Sequence, residues 1–272
     1  MRSLRKAAAI MILCFSIIFL AGCGQQKEEQ PADPSAKSDE KQTVNVFAAV
    51  SLTDALEEIK TNYDQANNTN LVFNLGGSGT LRQQIEEGAE CDLFISAAKN
   101  HVDTLEKSGQ LAEGTRTDLL TNSLVLIGKA ELQGQEGKEA KDILTEGSVE
   151  SIALGEPETV PAGQYAEQSL EKLGVLENVK SKINYAKDVR QVLDYVDTGN
   201  SDVGAVYKSD SLKLKTGKVL AVFPEDTHDK IVYPMALIKD SKNQEAAKKF
   251  AEYLKSEEAK AVFEKHGFNA AK

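Results

Sequence analysis

The residues with chemistry to offer stand at five short junctions. Ser51 closes the apolar run Val44–Val50 and opens a helical stripe in which Leu52, Ala55, Leu56, Ile59 and Tyr63 recur at one-turn spacing. Ser78 lies in Gly76-Gly77-Ser78-Gly79-Thr80, where glycine allows close backbone approach. Pro161 suits the first position of a helix and leaves the amides of Ala162 and Gly163 free. Val189 heads a stripe shared with Val192, Leu193 and Val196, with Asp188 as the natural N-cap. Tyr207 ends the strand-like segment Asp202–Tyr207. These positions offer hydroxyls and backbone N–H groups and no charged side chain. Helix N-termini at the carboxyl ends of parallel strands point unpaired N–H groups outward, which suits an anion.

Each residue also has a purely structural reading. Ser51 with Asp54 fits a Ser-x-x-acid cap, and Thr80 with Gln83 fits a second one. Ser78 could serve only a turn, Val189 only the core, and Tyr207 could be a core aromatic with a wet tip. A nucleotide P-loop is excluded at Gly76–Thr80, since no Gly-Lys-Ser/Thr follows. A serine hydrolase would need a base near Ser51 or Ser78. The three histidines, His101, His228 and His266, lie outside these loops, and no Gly-x-Ser-x-Gly elbow occurs. His228, beside Glu225, Asp226 and Asp229, reads as a solvated hinge residue.

The elements that must position these loops alternate strand and helix. Val44–Ala49 precedes Leu52–Tyr63, Leu71–Leu75 precedes Leu81–Glu87, and Leu93–Ala97 precedes His101–Lys107. Further strands are expected at Leu124–Ile127, Ser151–Leu154 and Val203–Tyr207, with helices from Pro161 and Val189. Two terminal helices, between Asn243 and Lys265, turn Phe250, Leu254, Val262 and Phe263 inward. The pattern is α/β with largely parallel sheets.

Residues 1–22 read as a signal segment: Arg2, Arg5 and Lys6 precede an apolar run from Ala7 to Leu20, too short for a spanning helix. The run closes on Leu20-Ala21-Gly22-Cys23, which resembles the lipoprotein box and implies lipidation of Cys23. Gly24 to Gln42 is a polar tether with nothing to bury. With Cys14 removed and Cys23 acylated, only Cys91 remains. It is expected as a small buried hydrophobe with no disulfide partner. The chain has 32 basic and 42 acidic residues, and 29 against 42 once Arg2, Arg5 and Lys6 leave. That balance argues against nucleic acid, and it leaves an anionic ligand to short-range neutral donors.

Seven blocks together carry a family resemblance. They are Phe47-Ala48-Ala49-Val50-Ser51-Leu52-Thr53, Asp92–Ala97, Val160-Pro161-Ala162-Gly163-x-Tyr165-Ala166, Lys187-Asp188-Val189-Arg190, Val206-Tyr207, Phe223–His228 and Tyr233-Pro234. From about Val44 to Ala270 the chain resembles the molybdate-binding proteins of bacterial molybdate ABC transporters, which have a two-lobed class II periplasmic-binding-protein fold. The resemblance implies lobe 1 from residues 43–122 and 229–272, lobe 2 from 123–228, and crossings at Asn122-Ser123 and Asp226–Lys230. It implies molybdate or tungstate held by the hydroxyls of Ser51 and Ser78, the N–H groups of Ala162 and Val189, and the phenol of Tyr207. Around Ser78 a serine-rich run is partly replaced by glycine, so Thr80 or the Gly77 amide could share that role. Also implied are an ABC permease partner, a lipid-anchored monomer on the extracytoplasmic face of the membrane, no catalysis, no cofactor and no cation ligand. The alternatives are a receptor for another tetrahedral oxyanion such as sulfate and, remotely, a serine hydrolase.

Overall fold

The computed structural model describes residues 41–132 and 135–271. The expected signal segment, Cys23 and all but the last two residues of the expected tether lie outside the described residues.

The first sheet begins with β1 (Gln42–Ala49), whose inner residues Val44, Val46 and Ala48 are fully buried. A turn of 3₁₀ helix over Val50–Leu52 leads into α1 (Thr53–Asn67), which ends at Asn68 in the left-handed conformation. The chain returns as β2 (Thr69–Gly76), in parallel register from Gln42 opposite Thr69 to Ala49 opposite Gly76. Helix α2 (Ser78–Glu86) then crosses to β3 (Leu93–Ile95), parallel to β1 on its other side. Next come α3 (Lys99–Lys107) and β4 (Thr117–Thr121).

Only Asn122 and Ser123 separate β4 from β5 (Leu124–Gly128), which starts the second sheet. That sheet continues through α4 (Ala140–Thr145), β6 (Ile152–Gly155), α5 (Pro161–Lys172), α6 (Leu176–Val179) and β7 (Ile183–Ala186). It closes with α7 (Val189–Asp197), β8 (Val203–Tyr207), α8 (Lys208–Ser211) and β9 (Lys218–Val222). The chain then re-enters the first sheet as β10 (Val232–Leu237), and α9 (Gln244–Tyr253), α10 (Glu257–Lys265) and β11 (Asn269–Ala270) finish it. The strand orders are β11-β4-β10-β3-β1-β2 and β7-β6-β8-β5-β9.

Several expectations need correction. Both sheets are mixed and not mostly parallel. β10 runs antiparallel to β3 and β4, and β5 runs antiparallel to β8 and β9. The parallel neighbours are those joined through a crossing helix; strands that arrive from the other sheet enter in the opposite sense. Gln42 belongs to β1 and not to the tether, since strand pairing with β2 starts there. β10 is hard to foresee because it contains Pro234, which cannot donate to a ladder. The strand accommodates it at a register shift between Tyr233 and Pro234. As expected, Phe250, Leu254, Val262 and Phe263 are buried, and so is Cys91, whose thiol burial pushes up to about 12.

Candidate functional site

All five residues singled out above line one cavity. It is walled by Ser51 beyond β1, by Gly77 and Ser78 at the start of α2, and by Ala97 beyond β3. The second sheet adds Val160, Pro161 and Ala162, Val189, and Tyr207 at the end of β8. It is small: the volume open to the centre of a water-sized sphere is about 10 Å³, room for about one such sphere and far below the range typical of drug-sized ligands.

The donors converge for local reasons. Pro161 opens α5, so Ala162 is its second residue and its N–H has no partner within the helix. Asp188 caps α7 by accepting from the Gln191 N–H at 2.9 Å, which leaves Val189 as the first helical residue. α2 begins with Ser78 itself, behind an N-cap at Gly77 that has no side-chain cap. Three helix N-termini therefore meet at the cavity, with their positive ends inward.

Ser51 does not cap α1. Its hydroxyl lies 3.0 Å from the Tyr233 hydroxyl, while Thr53 Oγ1 donates to the Val50 carbonyl at 2.6 Å. The second expected cap fails too: Thr80 sits inside the first turn of α2 and is exposed, so it cannot stand in for Ser78, whereas Gly77 does line the cavity. Ser78 is fully buried, and its oxygen accepts from the Ala97 N–H at 3.0 Å. The buried Tyr207 hydroxyl has no hydrogen-bond partner among the described residues. Burial holds its pKa well above the ordinary tyrosine value, so the phenol keeps its proton as a donor.

Contacts between the loops of the two sheets close the cavity. Gly79 N–H donates to the Thr159 carbonyl at 2.9 Å, and Tyr165 Oη donates to the Ala97 carbonyl at 3.2 Å. Glycine is required on this seam. A Cβ at Gly79 would fall 2.6 Å from Thr159 Cα, and one at Gly77 would fall 2.9 Å from the Thr159 carbonyl oxygen. Behind the cavity, Arg190 bridges the sheets. It contacts Asp54 at 2.7 Å on α1 and the fully buried Asp210 at 2.6 Å on α8, and Lys213 adds a contact to Asp54 at 2.9 Å. Burial pushes the Asp210 carboxyl up to about 6 against the opposing pull of Arg190. None of these charged groups lines the cavity. Sequence reasoning missed Tyr165, Arg190, Asp210 and Tyr233, whose partners are distant in the chain.

The histidines stay apart from this site. His101 is buried on α3, and His266 contacts Glu58 at 2.8 Å. His228 is half-buried with its ring 5.8 Å from that of Tyr165. No group of three or more His, Cys, Asp or Glu side chains among the described residues could hold a metal ion.

A pair of α/β sheets whose strand ends jointly build a small, neutral, donor-lined cavity defines a receptor for a small solute. The chain belongs to the bacterial extracellular solute-binding protein family, whose profile matches residues 44–269. It is an extracytoplasmic binding protein, and the hydrolase alternative falls with that assignment. It is 42% identical over 267 residues, 98% of this chain and 99% of the relative, to the "Putative ABC transporter substrate-binding lipoprotein YvgL" of Bacillus subtilis. It is 39% identical over 230 residues, 83% of this chain and 88% of the relative, to the molybdate-binding protein ModA of Escherichia coli. Among solved structures it resembles the "substrate binding domain of putative molybdenum ABC transporter from Clostridium difficile". That similarity has a TM-score of 0.66 and 42% identity, and covers 85% of this chain and all of the other.

Proposed function

We propose that this protein captures molybdate, and tungstate equally well, and delivers it to an ABC importer. The observation that carries the reading is the cavity itself, which combines neutral donors from both sheets and no carboxylate. Ser51 and Ser78 would donate by hydroxyl, Ala162 and Val189 by backbone N–H, and Tyr207 by its phenol. Hydrogen bonds to charged groups contribute roughly 1.5–3 kcal/mol each, so a half-dozen donors supply on the order of 10 kcal/mol. That suffices for roughly sub-micromolar affinity after the cost of closure. The named relatives, one a molybdate-binding protein and one a lipoprotein of an ABC transporter, point the same way.

The first sheet with its helices forms lobe 1, residues 43–122 and 229–272, and the second forms lobe 2, residues 123–228. Asn122-Ser123 and Asp226–Lys230 would be the crossings, a reading supported by the Asn122 N–H, which donates to the carbonyl of Ile231, the residue after the second segment, at 3.4 Å. Hinge closure about them completes the site. The mature protein acts as a monomer tethered through lipid on Cys23, and mass spectrometry showing an unmodified mature terminus would refute the anchor.

Crystals grown with molybdate and measured at the molybdenum absorption edge test the site. One anomalous peak is expected, within hydrogen-bonding distance of the five named groups. A peak elsewhere, or none, would refute the assignment.

A further inference from the structure

Ser51 can serve an anion only if its proton points into the cavity, and the groups behind it decide that. Its oxygen lies 3.0 Å from the hydroxyl of the fully buried Tyr233, a contact in which either group could donate. The direction is set further back. Ser123 N–H, which can only donate, binds Asn122 Oδ1 at 2.9 Å and so fixes the orientation of the amide. The amide nitrogen of Asn122 then donates to Ser209 Oγ at 2.9 Å and, in a long contact of 3.5 Å, approaches the Tyr233 hydroxyl oxygen. A donor at that oxygen occupies one of its acceptor positions and so favours the arrangement in which the Tyr233 proton turns to Ser51.

We propose that Asn122 and Tyr233 are positioning residues that force the Ser51 hydroxyl to act as a donor, and so make the cavity reject anions that carry a proton. Every arrow in the chain then runs one way, from backbone amide to Asn122, to Tyr233, to Ser51, to the anion. Ser78 is arranged alike, since the Ala97 N–H occupies its oxygen at 3.0 Å. Each serine oxygen thus has one of its two lone pairs taken from behind, which disfavours accepting the O–H of hydrogenphosphate, and a buried O–H facing other donors is costly. The relay also begins at the Asn122-Ser123 crossing, which ties the polarity of the site to the segment about which the lobes close. This inference rests on the oxyanion-binding reading above.

A double-mutant cycle tests it. Calorimetry with sodium molybdate, and phosphate in competition, is run on wild type, Ser51→Ala, Tyr233→Phe and the double variant. Tyr233→Phe keeps the ring stacked edge-on against Phe268 (centroids 5.5 Å apart) and Tyr207 (5.8 Å). It should weaken molybdate about tenfold and narrow the molybdate-to-phosphate ratio by about as much, the scale of one hydrogen bond. In the Ser51→Ala background the same change should do almost nothing, because Tyr233 acts through Ser51. Equal losses in both backgrounds, or no loss in either, would overturn the relay. Should Tyr233→Phe fail to fold, Asn122→Ala stands in, with a loss of about threefold that likewise vanishes without Ser51. A wild type that does not bind molybdate overturns the functional reading and the relay together, and it does so before any variant is made.

Discussion

Replacing Gly79 by alanine should separate binding from folding. Gly79 is the second residue of α2, where alanine is the better helix former by about 1 kcal/mol. The lobe carrying it should therefore fold as well as before or slightly better. Closure is another matter. The new Cβ would lie 2.6 Å from Thr159 Cα and 3.0 Å from the carbonyl oxygens of Glu158 and Thr159. All three are backbone atoms and cannot swing aside. Relief requires the seam to open by about 1 Å, which breaks the Gly79–Thr159 hydrogen bond and draws Ser78 away from the donors of α5. The lost seam bond costs about 0.5–1.5 kcal/mol, and one strained contact to the anion about 1.5–3 kcal/mol. Together they predict a fall in molybdate affinity of roughly 30- to 2,000-fold. Calorimetry gives the affinity, and thermal melts without ligand give the stability. Unchanged affinity would refute the argument that this seam must close tightly.

Two further outcomes follow from the same geometry. Tyr207→Phe removes the proposed donor at the end of β8 and should cost roughly 1.5–3 kcal/mol of molybdate affinity with no loss of fold, measured by calorimetry and circular dichroism. His101 makes acid stability predictable: burial, with Arg82 nearby, pushes its imidazole down to about 4, and its Nε2 has no partner among the described residues. Above pH 6.5 it is neutral in both states and contributes nothing. As pH falls from 6.5 towards 4 the unfolded chain takes up the proton first, so stability is lost, by about 3 kcal/mol at most. Urea unfolding across that range should show a shallower pH slope for His101→Gln than for wild type; parallel slopes would contradict the assignment.

What was legible in the sequence was what local chemistry fixes. Asp188 as a cap, Pro161 at a helix start and the strand-to-helix junction at Ser51 each depend on a few neighbouring residues, and each is found in place. The start of α2 was misplaced because Gly77, with no side chain to signal it, takes the N-cap position instead of a hydroxyl residue. The partner of Ser51 was invisible for a different reason: Tyr233 lies 182 residues away, inside a strand whose proline argued against a strand. The Arg190 contact with Asp54 is likewise non-local, 136 residues apart, and Asp54 read only as a helix-start acid. The glycines at 77 and 79 looked like a weakened serine loop, yet the backbone of the facing loop leaves no room for a Cβ at either.

On the proposed reading, a neutral cavity rich in donors selects a large, fully deprotonated tetrahedral anion. Titration of the purified protein near pH 7 with molybdate, tungstate, sulfate and phosphate, followed by calorimetry, tests it most directly. Molybdate and tungstate should bind at one site with similar, roughly sub-micromolar affinity. Sulfate should be far weaker because its shorter bonds leave oxygens out of reach of a cage set by two rigid lobes, and phosphate weaker because of its proton. Sulfate binding as tightly as molybdate would contradict the account and make this a sulfate receptor.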